Sequence, residues 1–183
     1  MELEFEIDKI TESIESTETG ECFDTLVLPV GKADLRGVTK KNGWRFDWKL
    51  ELAETNGQVY KLVTEKEPDV IQGLVSFEKR RDHINMNLIE NAPANVGKGK
   101  KYVGVAGNLI AYGCKLSMEA GFNGVVGFDS KTTLIEHYQN ELGAERISGQ
   151  RMAFEEKIAK FYIDKYFPQQ KTESNYGIIE RSH

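Results

Sequence analysis

The most informative segment of this chain is Asn95-Val96-Gly97-Lys98-Gly99-Lys100-Lys101-Tyr102-Val103-Gly104-Val105-Ala106-Gly107. Its glycines let the backbone approach a ligand closely, and its lysines surround the start of a predicted helix. Free amides and the positive end of a helix dipole favour a phosphate group there. Neither G-x-x-x-x-G-K-[ST] nor G-x-G-x-x-G occurs in the stretch, because Tyr102 stands where the latter pattern needs its third glycine. The alternatives are a phosphate-binding loop of another kind or a glycine-rich connector with no ligand.

The residues after this loop alternate between helix and strand. Small and apolar residues recur every three or four positions from Gly104 to Gly121, which predicts a helix that stops at Gly121. Residues 124–128 are nearly all apolar, as in a central strand covered on both faces. Residues 133–136, Thr-Leu-Ile-Glu, have the form of a capping box and open a predicted helix that runs to Leu142. Predicted strands around 146–147 and 152–154 and a helix over 155–167, ended by Pro168, complete the pattern.

The residues before the loop predict a series of strands. Residues 25–30, 59–63, 70–77 and 83–89 are rich in β-branched and apolar side chains. Residues 44–52 alternate with period 2, which predicts another strand, and Asn56-Gly57 predicts a hairpin turn after it. An antiparallel meander followed by helices and strands indicates a mixed sheet with helices on its faces.

The composition predicts one domain, residues 21–168, between an acidic, weakly packed arm over 1–20 and a polar tail over 169–183. The 183 residues carry a net charge of −5, and the 24 Lys and Arg are scattered, which disfavours nucleic acid as a partner. No run approaches the ~20 apolar residues of a membrane span. Cys22 and Cys114 lie far apart, so the sequence predicts no metal site and a cytoplasmic location.

Two motifs carry a resemblance to a known family. Lys101-Tyr102-Val103-Gly104-Val105-Ala106 resembles the pyrophosphate loop [QR]-x-x-G-x-[GA] of the GNAT superfamily of N-acetyltransferases, with Lys in the first position. His137-Tyr138-Gln139-Asn140-Glu141-Leu142-Gly143-Ala144 resembles the family's F-Y-E-K-L-G-F ending. The resemblance covers about residues 70 to 150. It implies an α/β (α+β) fold with a mixed, mostly antiparallel twisted sheet, flanking helices and a splayed central pair of strands.

The resemblance also implies an activity and a set of site residues. It implies an acyltransferase that moves an acetyl group from acetyl-CoA to an amine by direct transfer, acting as a monomer or homodimer without nucleic acid or membrane. Tyr138 is the implied general acid that protonates the departing thiolate, and Glu90 is a candidate base. The implied cofactor-binding residues are Leu88, Ile89, Lys101, Tyr102, Val103, Gly104, Val105, Ala106 and Lys131.

Several alternatives remain open at this stage. Tyr138 is either the acid or a core tyrosine, and Glu90 is a base, an anchor for a cationic acceptor or an exposed strand end. Lys131 stands where family members often carry Asn, and a cation there could reach the cofactor's phosphates. The aromatic residues Trp44, Phe46 and Trp48 favour core packing over an acceptor wall. Packing is also favoured for His137 and Cys114, and His83 has no Ser, Cys or metal-ligating neighbour in sequence. A non-catalytic acyl-CoA-binding or protein-interaction module is the alternative function.

Overall fold

The computed structural model describes residues 13–167 as one nine-stranded sheet with helices on both faces. The strands are β1 Ser13–Ser16, β2 Cys22–Pro29, β3 Gln58–Thr64, β4 Gly73–Lys79, β5 Ile84–Asn91, β6 Tyr102–Val103, β7 Val126–Asp129, β8 Glu145–Ser148 and β9 Arg151–Phe154. The α-helices are α1 Trp48–Glu54, α2 Val105–Glu119, α3 Ile135–Asn140 and α4 Glu156–Tyr166. The predictions for residues 1–12, for Pro168 and for the tail over 169–183 lie outside the described residues.

The sheet order is β6-β1-β2-β3-β4-β5-β7-β9-β8, and β5–β7 is the parallel pair. All the other pairings recorded in this part of the chain are antiparallel. The predicted mixed, mostly antiparallel fold is therefore confirmed. The strands predicted over 59–63, 70–77, 83–89 and 124–128 are also confirmed, with ends that differ by a few residues.

The two central strands pair briefly and then separate. β5 and β7 are in register at Ile84 with Val126 and at Asn85 with Gly127. Beyond that point β7 pairs with β9. β5 continues to Asn91, and of the strands in residues 13–167 only β4 pairs with it there. A register shift in the β4–β5 ladder leaves Asn87 as an extra residue, and such a bulge bends a strand. The wedge between β5 and β7 is the splayed pair that the sequence implied.

Two hydrophobic clusters lie on opposite faces of this sheet. The larger cluster packs α2 and α4 against the sheet, and Gly113 allows α2 to approach closely, because a Cβ there would lie 2.5 Å from the Phe77 ring. The smaller cluster packs the segment before and within α1 against β3 and β4, with Trp48 fully buried beside Leu74. The wedge therefore opens between one face covered by α2 and another covered by the α1 segment.

The prediction of a strand over residues 44–52 is wrong, because residues 44–47 lead into α1 and residues 48–52 belong to that helix. The Asp47 carboxylate accepts a hydrogen bond from the Leu50 amide at 3.0 Å and caps the helix. Trp48 is fully buried while Leu50 is 51 % exposed, which a single strand face would not allow. The hairpin predicted at Asn56-Gly57 is also wrong, since these residues join α1 to β3. Gly57 is needed there because a Cβ would overlap the Phe77 carbonyl oxygen.

Two further predictions need correction. The weakly packed arm is wrong for residues 13–16, which form β1 between β2 and β6 with Ile14 only 1 % exposed. A four-residue strand with one buried apolar side chain leaves too short a pattern to recognise. The capping box is also wrong: Thr133 lies in a 3-10 turn, the N-cap of α3 is Leu134 without a side-chain cap, and α3 ends at Asn140. Within residues 13–167 no helix has the length and apolar character to cross a membrane.

Candidate functional site

A cavity of about 510 Å³ lies in the wedge where β5 and β7 separate. Its walls come from the second half of β5, the first turns of α2, the end of β7, α3 and the turn before α1. The cavity brings together six of the predicted site residues: Leu88, Ile89, Glu90, Ala106, Lys131 and Tyr138. Because no strand pairs with this side of β5 in the described chain, backbone groups of residues 86–91 are available to a ligand.

The N-terminus of α2 opens onto this cavity through Ala106. Gly104 is the N-cap, with φ of +92°, and it offers no side chain to cap the helix. In an α-helix the first amides have no acceptor within the helix, so those of Val105, Ala106 and Gly107 need a partner from outside it. Of these three residues, Ala106 lines the cavity, whereas Val105 and Gly107 are buried. A helix of 15 residues also places a partial positive charge at this end. The arrangement suits a phosphate group.

The residues just before Gly104 lie outside the cavity. The amide of Lys101 donates to the Ala94 carbonyl at 2.8 Å, and the amide of Tyr102 donates to Asn95 Oδ1 at 3.1 Å. Tyr102 and Val103 form β6, and the buried Tyr102 ring packs edge-on against Phe23 at 5.7 Å. The amides of Lys101 and Tyr102 are therefore already hydrogen-bonded within the protein.

A second depression, of about 440 Å³, borders Lys98, Lys100 and Lys101. Its rim also includes Thr17 and Glu18 from the β1–β2 turn. Thr17 Oγ1 donates to the Lys100 carbonyl at 2.6 Å, which ties the lysine-rich loop to that turn.

Two buried asparagines hold the loop, and sequence reasoning missed both. Asn95 Nδ2 donates to the Gln72 carbonyl and to Gln72 Oε1, both at 3.0 Å, while its oxygen accepts from the loop. Asn108 Nδ2 donates to the Ser13 carbonyl at 2.9 Å and to the Gly104 carbonyl at 2.7 Å. Because each asparagine binds residues distant in sequence, no local pattern distinguishes it from an exposed one.

Tyr138 places a phenol at the cavity. Its ring packs at 4.7 Å from the Phe128 ring and 5.7 Å from the His137 ring. Burial raises the pKa of the Tyr138 phenol above its ordinary value, so the group stays protonated at neutral pH. Within residues 13–167 no hydrogen-bond partner is recorded for its hydroxyl. The phenol is therefore a neutral O–H donor available to a ligand. His137 is half exposed and bonds Glu141 at 3.0 Å.

Glu90 binds the turn that leads into α1. Its Oε2 accepts from the Arg45 amide at 2.7 Å, and its Oε1 accepts from the Phe46 amide at 3.2 Å and from Trp48 Nε1 at 2.9 Å. Sequence reasoning did not predict these bonds, because they join residues more than forty positions apart. They hold Arg45 and Phe46 at the edge of the cavity, where the Lys131 ammonium lies 6.0 Å from the centre of the Phe46 ring.

No protein-family model matches this sequence, and no curated protein sequence matches it either. Solved structures do match its fold. A presumed N-acetyltransferase from Lactobacillus plantarum is 14 % identical with a TM-score of 0.53, covering 70 % of this chain and 96 % of that one. AtaTR bound with AcCoA is 11 % identical with a TM-score of 0.52, covering 75 % of this chain and 97 % of that one.

A third match is the spermidine/spermine N-acetyltransferase SpeG from Vibrio cholerae. It is 15 % identical with a TM-score of 0.50, covering 75 % of this chain and 98 % of that one. At this identity the likeness concerns the arrangement of the backbone. The splayed strands, the helix start beside them and these matches agree, and the fold of this chain is that of the GNAT N-acetyltransferases.

Proposed function

We propose that this protein transfers the acetyl group of acetyl-CoA directly to an amine within a ternary complex. The observation that carries the proposal is the wedge cavity, which combines unpaired strand backbone, free helix amides and a neutral phenol. The strand backbone suits the peptide-like arm of acetyl-CoA, the helix amides suit its pyrophosphate, and the phenol suits the departing thiolate.

The pantetheine arm of acetyl-CoA would lie along β5 as an additional strand, bound by main-chain groups at Leu88 and Ile89. The pyrophosphate would take the amides of Val105, Ala106 and Gly107. The sequence prediction gave the pyrophosphate the amides from Tyr102 to Ala106. The proposed set leaves out Tyr102, whose amide is already bonded, and Val103 and Gly104, which precede the helix, and it adds Gly107. Apolar surface suits the arm as well: Val96 and Leu134 line the cavity and are 46 % and 42 % exposed.

The proposed chemistry needs one proton donor from the protein. The amine nitrogen attacks the thioester carbon, the carbon–sulfur bond breaks, and the amine loses one proton to solvent. Tyr138 donates its hydroxyl proton to the departing sulfur and regains one from solvent, so the proton count balances. The raised pKa of Tyr138 supports this role, because the donor must be protonated at the pH of the reaction.

We assign Glu90 a positioning role in place of the base predicted from the sequence. Its two oxygens already accept three N–H groups from the turn before α1. Proton abstraction from an amine would require Glu90 to exchange one of these bonds for the substrate. Holding Arg45 and Phe46 at the cavity requires no such exchange.

Calorimetric titration of the full chain with acetyl-CoA, followed by assays of free thiol and acetylated amine across an amine panel, tests the proposal. We expect saturable binding and amine-dependent thiol release in equal amounts with the acetylated product. Absence of acetyl-CoA binding by the folded protein would overturn it.

A non-catalytic acyl-CoA-binding module is the second candidate. It is favoured by the internal bonding of the Lys101 and Tyr102 amides, which leaves the loop fewer donors than the motif offers. In that case acetyl-CoA binds, no amine in the panel is acetylated, and Tyr138→Phe changes nothing measurable.

A further inference from the structure

We propose that the amine acceptor carries an anionic group, a carboxylate in the simplest case, which Arg45 and Lys131 bind at the mouth of the wedge. This inference rests on the proposed function and names the chemical class of its acceptor. It is carried by the charges around the cavity and by the face of the sheet on which the two cations lie.

The charged side chains that line the cavity are two cations, Arg45 and Lys131, and two carboxylates, Glu90 and Asp129, and both carboxylates already have polar partners. Glu90 accepts three N–H groups, and Asp129 lies 3.6 Å from the Arg151 guanidinium. Neither Arg45 nor Lys131 belongs to any ion pair found within residues 13–167. Two cationic side chains therefore line the cavity without a carboxylate partner in the described protein.

The two cations lie on the acceptor side of the wedge. α2, which carries the phosphate-binding amides, packs on one face of the sheet, whereas the Arg45–Phe46 turn belongs with Trp48 to the opposite face. The Lys131 ammonium lies beside this turn, 6.0 Å from the centre of the Phe46 ring. Lys131 thus approaches the turn before α1, and we assign it to the acceptor in place of the cofactor phosphates predicted from the sequence.

The Glu90 bonds make this pair of cations a prepared site. They fix the backbone from which the exposed Arg45 side chain projects at the edge of the cavity. A carboxylate placed between a guanidinium and an ammonium gains charge-assisted hydrogen bonds. A polycation meets two like charges there, which selects against it.

The test compares acceptors that differ in one charge. The full chain with acetyl-CoA is assayed with each amino acid beside its carboxamide, and with spermidine. We expect kcat/KM to favour the acid over its amide by about ten-fold or more, with spermidine poorer than both. Equal use of acid and amide, or preference for spermidine, would overturn the inference.

Variants assign the effect to the two cations. Arg45→Ala and Lys131→Gln should each lower the acid-to-amide ratio of kcat/KM by about ten-fold, through KM. Lys49→Ala, which removes an exposed cation of α1 that does not line the cavity, is the matched control and should leave the ratio unchanged. If the cation variants instead weaken acetyl-CoA binding in calorimetry and leave the ratio alone, the cations serve the cofactor and the inference is wrong.

A binding measurement separates this inference from the proposed function. The N-acetylated acid and its N-acetylated amide are titrated into the protein, which requires no turnover. We expect the acid to bind at least ten-fold more tightly and to lose this advantage in Arg45→Ala. A protein that fails to bind acetyl-CoA contradicts the proposed function, whereas one that binds acetyl-CoA but treats the two products alike contradicts the acceptor class.

Discussion

Replacing Glu90 by Gln should weaken the protein through the turn before α1. The carboxylate satisfies three donors with two oxygens, 2.7 Å from the Arg45 amide, 3.2 Å from the Phe46 amide and 2.9 Å from Trp48 Nε1. A carboxamide has one acceptor oxygen. If that oxygen serves Phe46 and Trp48, the new NH₂ group faces the Arg45 amide, and a donor then meets a donor.

The expected cost follows from these contacts. One lost and repulsive contact costs about 1–3 kcal/mol, and the two remaining bonds lose the assistance of the negative charge. The bond to the Arg45 amide is exposed, so water can replace part of it, which keeps the cost of this contact in the lower half of that range. The loss of charge assistance at the other two bonds adds to it. We expect Glu90→Gln to lower the free energy of unfolding by about 2 kcal/mol.

Urea denaturation followed by tryptophan fluorescence measures this change. The chain has two tryptophans, Trp44 at 7 % and Trp48 at 0 % exposure, and both lie in the cluster that Glu90 holds. With a slope near ~2 kcal/mol per M, the midpoint should fall by about 1 M urea at unchanged slope. The control Glu65→Gln alters an exposed carboxylate and should leave the midpoint within the experimental error.

The same variant distinguishes the positioning role of Glu90 from a role as the catalytic base. If Glu90 only holds the turn, the ratio of wild-type to variant rate should stay constant as pH rises. If it deprotonates the amine, the ratio should shrink toward the amine's own pKa, because free amine then forms unaided. An unchanged urea midpoint together with a shrinking rate ratio would refute the positioning role.

Three further changes test the site and the fold. Tyr138→Phe should lower turnover by about 10²–10⁴-fold with little effect on acetyl-CoA affinity. Because burial raises the pKa of the phenol, the wild-type rate should fall through deprotonation of this acid only above pH 10. Full turnover of the variant would show that Tyr138 is a packing residue. Gly104→Glu should abolish acetyl-CoA binding in calorimetry, because it places a negative charge at the helix start. Gly104→Asn is the control, since Asn tolerates the positive φ of 92° and adds no charge. Unchanged affinity in a folded Glu variant would contradict the phosphate site. Gly113→Ala should lower the free energy of unfolding by about 1–3 kcal/mol, because its Cβ would lie 2.5 Å from the Phe77 ring; an unshifted urea midpoint would show that this ring moves aside freely.

The sequence predicted those parts of the fold whose signal is local. The period of α2, its stop at Gly121 and the apolar run around β7 all lie within one element each, so neighbouring residues suffice to identify them. The wedge followed from the family resemblance, since no property of β5 alone shows where β7 leaves it. Tyr138 and Glu90 were both placed at the cavity by that resemblance.

The failures have physical causes as well. Residues 44–52 fit a two-residue period, while Trp48 and Leu52 also fit one side of a helix, and the cap at Asp47 decided between them. The pairing of β1 with β6 joins distant segments, which no local window contains. For the same reason the sequence could not show that Asn95 already binds the Tyr102 amide.

The pairing of β1 with β6 sets an order in which the site can assemble during synthesis. β1 and β2 are neighbours along the chain and can form a hairpin as soon as residue 24 is available. The partners on the other edge of β1 come much later: Ser13 waits for Asn108, 95 positions further on. Closing so long a loop is slow. The helix start proposed to hold the phosphates therefore cannot reach its final arrangement before Asn108 has been synthesised, and a nascent chain shorter than about 108 residues cannot bind acetyl-CoA there.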